Sequence, residues 1–179
     1  GAYVSEGSSL TNCYVINCVS RYDGGGVYAR NGGRIVDCLV ILNNTESHIS
    51  RGGGVMLWKS TLRDSRVTDN ETPYNGGGVS GYAALISNCV IKSNVARSSG
   101  GGANCEATST VVHCTVYNND ATNHGGGMYL YHSERVISCC ISNNTAGFDG
   151  GGLSSFYNPH VTDCTVVLNR AGDDGGGIY

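Results

Sequence analysis

The chain has 179 residues, 28 of them glycine and nine cysteine, and its 14 acidic and 11 basic side chains give a formal charge of −3. Charged residues are 14% of the chain, against roughly 25% in an ordinary soluble domain, and glycine is more than double its usual ~7%. This balance argues against a nucleic-acid partner, which needs a basic face; no run approaches the ~18 apolar residues of a membrane-spanning helix; and 40% hydrophobic content excludes a solvated disordered chain.

Seven Gly-Gly-Gly triplets punctuate the chain, beginning at Gly24, Gly52, Gly76, Gly100, Gly125, Gly150 and Gly175, at intervals of 28, 24, 24, 25, 25 and 25 residues. A fixed period of this size is the signature of a solenoid. Further columns keep the same register. An aliphatic column runs through Leu10, Ile35, Leu62, Ile86, Val111, Val136 and Val161. Three residues later come Cys13, Cys38, Cys89, Cys114, Cys139 and Cys164, with Ser65 at the missing turn. Two residues on stand Val15, Val40, Val67, Ile91, Val116, Ile141 and Val166. The last column is asparagine, at Asn43, Asn70, Asn94, Asn119, Asn144 and Asn169, with Cys18 in the first repeat.

After each triplet apolar residues alternate, as in Gly25, Val27, Ala29 and in Gly126, Met128, Leu130, and the cysteine and β-branched columns extend the period-two pattern. Period two with β-branched enrichment predicts strand, and no window holds a 3.6-residue period long enough for a helix. A ~25-residue unit of short strands and turns is one coil of a parallel β-helix, each strand pairing with its counterpart ~4.8 Å away in the next coil. The expected fold is all-β, a right-handed parallel β-helix of about seven coils forming a rod of roughly 35 Å. Residues 1–179 form a single repeat domain, expected to be an excerpt of a longer solenoid.

The triplets have a steric reading: an inward glycine leaves room at a sharp bend, and its neighbours take positive φ without a Cβ penalty. A phosphate-cradling loop would need a following helix and usually a lysine, and neither follows here. The asparagines are expected to stack at a turn and hydrogen-bond from coil to coil. Asn43, Asn70 and Asn143 also begin N-x-T sequons, but two of the three belong to the ladder, which favours the structural role.

The paired signals GGG-[VAMLI] and [VI]-x-x-N, as in Gly24 to Val27 with Val40 to Asn43 and in Gly150 to Leu153 with Val166 to Asn169, resemble the GGA-[ILV] and F-x-x-N repeats of the polymorphic outer membrane proteins. Those are bacterial surface autotransporters with β-helical passengers. Here glycine replaces the alanine, and Val or Ile the phenylalanine. Similar glycine-, Asn-Cys- and Asn-Asn-Thr-Ala-rich repeats occur in secreted proteins of the pectate-lyase-like superfamily. The resemblance spans the chain and implies an extracellular or outer-surface β-helix. It transfers no catalytic residue, because the shared positions are structural.

Six cysteines share one inward column, so buried free thiols are expected in place of a disulfide framework; stacked Cβ vectors run parallel, and tetrahedral metal ligation needs convergence. Cys140 points opposite to Cys139 and is expected to be the accessible thiol. Before the cysteine column stand Asn12, Asp37, Asp64, Asn88, His113, Ser138 and Asp163, where Asp37 and Asp64 form an acidic pair near Arg66. Polar turn residues explain most of that column. A glycosidase needs two carboxylates about 5–9.5 Å apart across a cleft, and the short uniform loops build no wall. The histidines, His48, His113, His124, His132 and His160, share no column on consecutive coils and read as exposed turn residues. No catalytic residue, metal site or cofactor is assigned.

In the strand after each triplet, the fourth and sixth positions beyond the first glycine are expected to face solvent. The sixth-position column reads Arg30, Trp58, Tyr82, Glu106, Tyr131 and Phe156; the fourth adds Tyr28, Met56, Tyr129 and Tyr179. Trp58, Tyr82, Tyr131 and Phe156 are therefore the candidate platform for a glycan or a host-surface protein. The expected function is a non-enzymatic surface module such as an adhesin passenger or scaffold; the alternative is a polysaccharide lyase or glycoside hydrolase on the same fold. Open coil edges also lead to an expectation of end-to-end self-association if uncapped.

Overall fold

The computed structural model of the chain describes residues 1–179 and contains strands and turns only. Four parallel seven-stranded sheets run the length of the rod, here A to D in chain order, and each of seven coils gives one strand to each sheet. The fifth coil shows the pattern: Ala103–Glu106 in sheet A, Thr110–Val112 in B, Thr115–Tyr117 in C and Asp120–Ala121 in D. Register follows the repeat, so Ala103 pairs with Val79 on one side and Met128 on the other. The expected parallel β-helix is the observed architecture.

The aliphatic and β-branched columns fill the interior as one continuous cluster of 27 buried residues, with Ile35, Leu62, Ile86 and Val111 stacked from sheet B and Val40, Val67, Ile91 and Val116 from sheet C. In the outermost coils Leu10, Val161 and Val166 have a neighbouring coil on one side and are half-buried.

The strands of sheets B and C are short because the backbone turns left-handed at the end of each. Between sheets B and C, Asn12, Asp37, Asp64, Asn88, His113, Ser138 and Asp163 hold φ between 51° and 54°. Between C and D, Asn17, Leu42, Asp69, Ser93, Asn118, Asn143 and Leu168 hold φ between 53° and 58°. Such a conformation costs an L-residue roughly 1–2 kcal/mol, least for Asn and Asp, whose short polar side chains bond locally. The polar column before the cysteines is therefore set by the bend, as Asp37 and Asp64 show. The cysteines themselves occupy the bend after this residue and not a strand, which differs from the simple period-two reading.

The inward residue after each left-handed position has a specific task. At the C–D bend, Asn94 donates its N–H and its Nδ2–H to Oδ1 of Asn119, both at 3.0 Å, and its Nδ2 also reaches the Val67 carbonyl at 3.1 Å. The same bonds repeat from Asn43 to Asn169, and Cys18 joins by donating its N–H to Asn43 Oδ1 at 2.9 Å. At the B–C bend the thiols do a weaker version: Cys114 and Cys139 donate their N–H to the sulfur one coil on, each at 3.4 Å. Ser65 substitutes because its Oγ accepts the Cys38 N–H at 3.0 Å and donates to the Arg63 carbonyl at 2.7 Å.

The glycine triplets close the opposite side of this ladder. The first glycine of every triplet has φ between +62° and +72°. The third is pressed against the asparagines: a Cβ on Gly102 would lie 2.6 Å from the Gly127 carbonyl oxygen and 2.9 Å from Asn119 Nδ2. No side chain fits there. The buried ladder also accounts for the sequons, since Asn43 and Asn70 are each 1% exposed with their amides committed.

Asn119→Ala strips partners from the Asn94 N–H, the Asn94 amide and the Ile91 carbonyl, at about 1–3 kcal/mol per buried group left unpaired. The expected result is a loss of about 3 kcal/mol or more in urea unfolding. Asn118→Gly, one residue away at φ 54°, is expected to be near neutral, because glycine accepts that backbone.

Candidate functional site

The site is the outer face of sheet A, where each strand presents two side chains outward because alternate residues fill the core. The sixth-position column lies in register, Arg30 against Trp58, Trp58 against Tyr82 and Tyr82 against Glu106. Trp58 and Tyr82 stack with centroids 4.1 Å apart and planes 5° from parallel. Tyr131 and Phe156 are 6.4 Å apart and inclined by 52°. The two predicted pairs therefore exist, with Glu106 between them, but their surfaces differ. Stacked rings cover each other's faces and leave their edges free; the inclined pair covers less of either ring, although Tyr131 also meets Tyr129, His132 and Tyr157. Tyr131 is 38% exposed, while Trp58, Tyr82 and Phe156 are half-buried.

The fourth-position column does not face solvent as expected. Met56 is 3% exposed, Ser80 2%, and Asn104 and Ser154 0%, while Tyr28 and Tyr129 are half-buried; only Tyr179 is open. The reason is the pair of columns beside it. On one side stands the aromatic row; on the other stand residues just before the triplets, such as Arg51, Tyr74, His124 and Phe148, which reach over the strand. Arg51 Nη1 lies 3.2 Å from both carboxylate oxygens of Glu106, crossing two coils, and its guanidinium sits 6.0 Å from the Tyr74 ring. Asn104 Nδ2 donates to Glu106 Oε1 at 3.1 Å and to Ser80 Oγ at 3.3 Å. The fourth positions form a polar floor under a partly aromatic cover.

Around Tyr129 the cover is densest. Its ring is 6.2 Å from Tyr131, 5.8 Å from Phe156 and 6.5 Å from His124. Burial, with Tyr131 and Glu106 close by, pushes its hydroxyl above the usual tyrosine range. His124 is half-buried, with Nδ1 3.1 Å from Asp149 Oδ2, and so departs from the expectation of exposed histidines, which His48, His113, His132 and His160 meet.

Glu134 was not singled out by sequence reasoning. It occupies the inward bend between sheets A and B, in a column otherwise of Gly33, Ser60, Ala84, Ser109 and Pro159, and it is fully buried. Its Oε2 accepts the His132 N–H at 2.6 Å, tying back the preceding turn, and Oε1 has no partner. Burial raises its carboxyl above the usual range. A lone acid among small residues was the available signal.

The other candidate chemistries resolve as follows. Asp37, Asp64 and Arg66 line a groove of about 440 Å³ outside the B–C bend, but Asp64 is held by Arg63 Nη1 and Asn88 Nδ2, each at 3.2 Å. The two acids face no opposing wall. All nine cysteines are free thiols; Cys38, Cys89, Cys105, Cys114 and Cys139 are buried, and Cys140 shares partial exposure with Cys13, Cys18 and Cys164. Cys140 is thus not uniquely accessible, because the first and last coils uncover one side of their own thiols. No three His, Cys, Asp or Glu side chains converge on a point.

The family model described as right handed beta helix region matches residues 1–166, which adds the hand of the winding to the observed coil path. No curated protein and no solved structure matches the chain.

Two measurements follow from the buried groups. Burial pushes the Cys105 thiol far up, and the hydrogen-bonded Cys114 together with burial does the same for Cys139. At pH 8 a thiol reagent is expected to label only the four part-exposed cysteines, Cys13, Cys18, Cys140 and Cys164, and all nine after unfolding, as counted by mass spectrometry. For Glu134, a raised folded pKa means that the protonated acid favours the fold: the contribution is full below the ordinary value of 4.5 and is lost as pH climbs through the raised one. Glu134→Gln keeps an acceptor for His132 and carries no charge. It is expected to melt above the parent protein at pH 8, with the difference vanishing near pH 4.

Proposed function

The chain belongs to the right handed beta helix family, and on that premise we propose that it is a non-enzymatic module displayed outside the cell, holding a glycan or a protein partner on the outer face of sheet A. One observation carries this reading: Trp58, Tyr82, Tyr131 and Phe156 line up along the rod beside a charged pair, Arg51 and Glu106. The alignment alone has a structural value, since cross-strand aromatic pairs stabilise a sheet by roughly 0.2–1 kcal/mol each. That value explains the Trp58–Tyr82 stack well. It explains Tyr131 less well, because an inclined and exposed ring gives up part of the contact that a stacked one makes.

A platform on a β-helix suits binding for an entropic reason. Each side chain is fixed by neighbours in the coils on both sides, so little freedom is lost when a partner settles on it. Tyr131, 38% exposed, and the inclined Phe156 offer ring surface to a sugar or to an apolar side chain, and the stacked pair extends the same strip with ring edges.

Tyr131→Ala is expected to weaken binding by at least about tenfold, the cost of a contact of ~1.4 kcal/mol or more, with an unchanged circular dichroism spectrum. Trp58→Ala is expected to lower the melting temperature more and binding less, since it breaks the stack. A glycan array and a host-cell binding assay are the readouts. A wild-type protein silent on both reduces the strip to a structural feature.

A further inference from the structure

Charge is spread unevenly over the outer surface of the rod. On sheet B the first and third residues of each strand face outward while the middle one fills the core. Those outward positions hold Arg34, Arg63, Arg135 and His160 and no acid, in a chain whose net charge is −3. Sheet A carries Glu106 in its strands, and sheet D carries Glu71 and Asp120. Sheet C has two cations, Arg66 and Lys92, the second lying over the Tyr117 ring. Arg34 and Arg135 are exposed and form no ion pair, whereas Arg51, Arg63 and Arg97 each hold a carboxylate.

An exposed free guanidinium is ordinary; its setting here is not, and it occurs twice. Arg34 stands in register between Ser9 and Thr61, in a groove of about 410 Å³ that Arg63 closes on the far side. Arg135 stands in register between Thr110 and His160, in a groove of about 330 Å³ with Ile137 and Thr162. We propose that sheet B is a second binding face, for a linear sulfated glycan, with one sulfate seated at Arg34 and another at Arg135. This face is separate from the aromatic strip on sheet A and does not depend on it.

The donors select the anion. A carboxylate has two oxygens, and one guanidinium fork satisfies both. A sulfate ester presents three, and the neighbours in register serve the third: Ser9 or Thr61 beside Arg34, Thr110 or His160 beside Arg135. The spacing selects the chain. The two arginines are four strand spacings apart, about 19 Å along the rod. Between them the face is uncharged, and Leu85, 41% exposed, offers apolar surface to the C–H side of a sugar ring. A nucleic acid, with a charge every ~3.4 Å along each strand, would set several phosphates on that uncharged stretch. It would also meet Asp37, Asp64 and Asp163, exposed along the B–C bend. A sparsely charged chain avoids both, because Arg34 and Arg135 open their strands on the side away from those acids, where Lys59 is exposed at the A–B bend.

The test titrates three hexasaccharides into the protein by calorimetry: κ-carrageenan, which has sulfates and no carboxylate; hyaluronan, which has carboxylates and no sulfate; and neutral agarose. Oligothymidylate is the fourth probe. The expected result is binding of the carrageenan alone, weakening with added salt. Arg34→Gln and Arg135→Gln break no bond of the folded protein, so both are expected to melt with the parent. Each is expected to weaken carrageenan binding about tenfold, as the loss of a charge-assisted hydrogen bond does, and the pair together to abolish it. Arg170→Gln removes an equally exposed, unpaired cation from sheet D and is expected to change nothing. Equal losses with Arg170→Gln reduce the effect to net charge and overturn the site. Loss of carrageenan binding in Tyr131→Ala moves the ligand to sheet A and overturns it as well. Hyaluronan bound as tightly as carrageenan overturns the choice of sulfate, and tighter binding of the oligonucleotide overturns the choice of a glycan. Silence toward all four probes overturns the whole proposal and leaves the sheet A platform untouched.

Discussion

The contact between the third glycine of each triplet and the asparagine ladder is what the rest of the molecule depends on. A Cβ on Gly102 would lie 2.9 Å from Asn119 Nδ2 and 2.6 Å from the Gly127 carbonyl oxygen. Two columns that look independent in the sequence are thus the two surfaces of one contact. The ladder brings sheets A and D within backbone distance of each other and fixes the bend; the triplet supplies the only side chain small enough to permit it. A change on either surface is felt by the other, and through the shared hydrogen bonds by the coils on both sides.

That arrangement also pins the register. A slip by two residues keeps a strand's inward face inward, so alternation alone does not forbid it. The ladder does, because a slipped asparagine would leave its N–H and amide unpaired inside the rod. The thiol row at the other bend is a weaker lock with longer bonds, which is why it tolerates Ser65, whereas the asparagine column gives way only at the outermost coil, to Cys18.

Most of this was legible in the sequence. The triplets, the four columns and the period-two alternation identify a parallel β-helix, because a solenoid writes each spatial row as a sequence column. The left-handed bends were legible only where Asn or Asp marks them; Leu42, His113 and Leu168 occupy the same conformation with no compositional sign. The outer face was legible in part. Alternation places Trp58, Tyr82, Tyr131 and Phe156 outward in one row, but it cannot say whether a neighbouring column leans across, as Arg51 and His124 do over Met56 and Ser154's column. Nor does it separate a stacked pair from an inclined one. Glu134 escaped because its column is defined by smallness, and a buried acid at a bend is a departure that no periodicity predicts.

That the rod tolerates a buried acid such as Glu134 follows from how a solenoid distributes stability. Each coil contacts only its two neighbours, so an unfavourable group weakens the adjoining joints and leaves distant ones untouched. A globular core of the same size shares that cost among elements that meet in three dimensions. Here the coils carrying Leu57, Leu62 and Val67 keep full apolar packing whatever happens around Glu134. A fold with this property can hold a locally unsatisfied group at one position along its axis, because the ladder running through the rod keeps the backbone in place. The inward A–B bend uses that freedom at Glu134, fully buried with Oε1 unpaired, while Cys105, Leu130 and Leu153 in the same and adjoining coils stay fully buried.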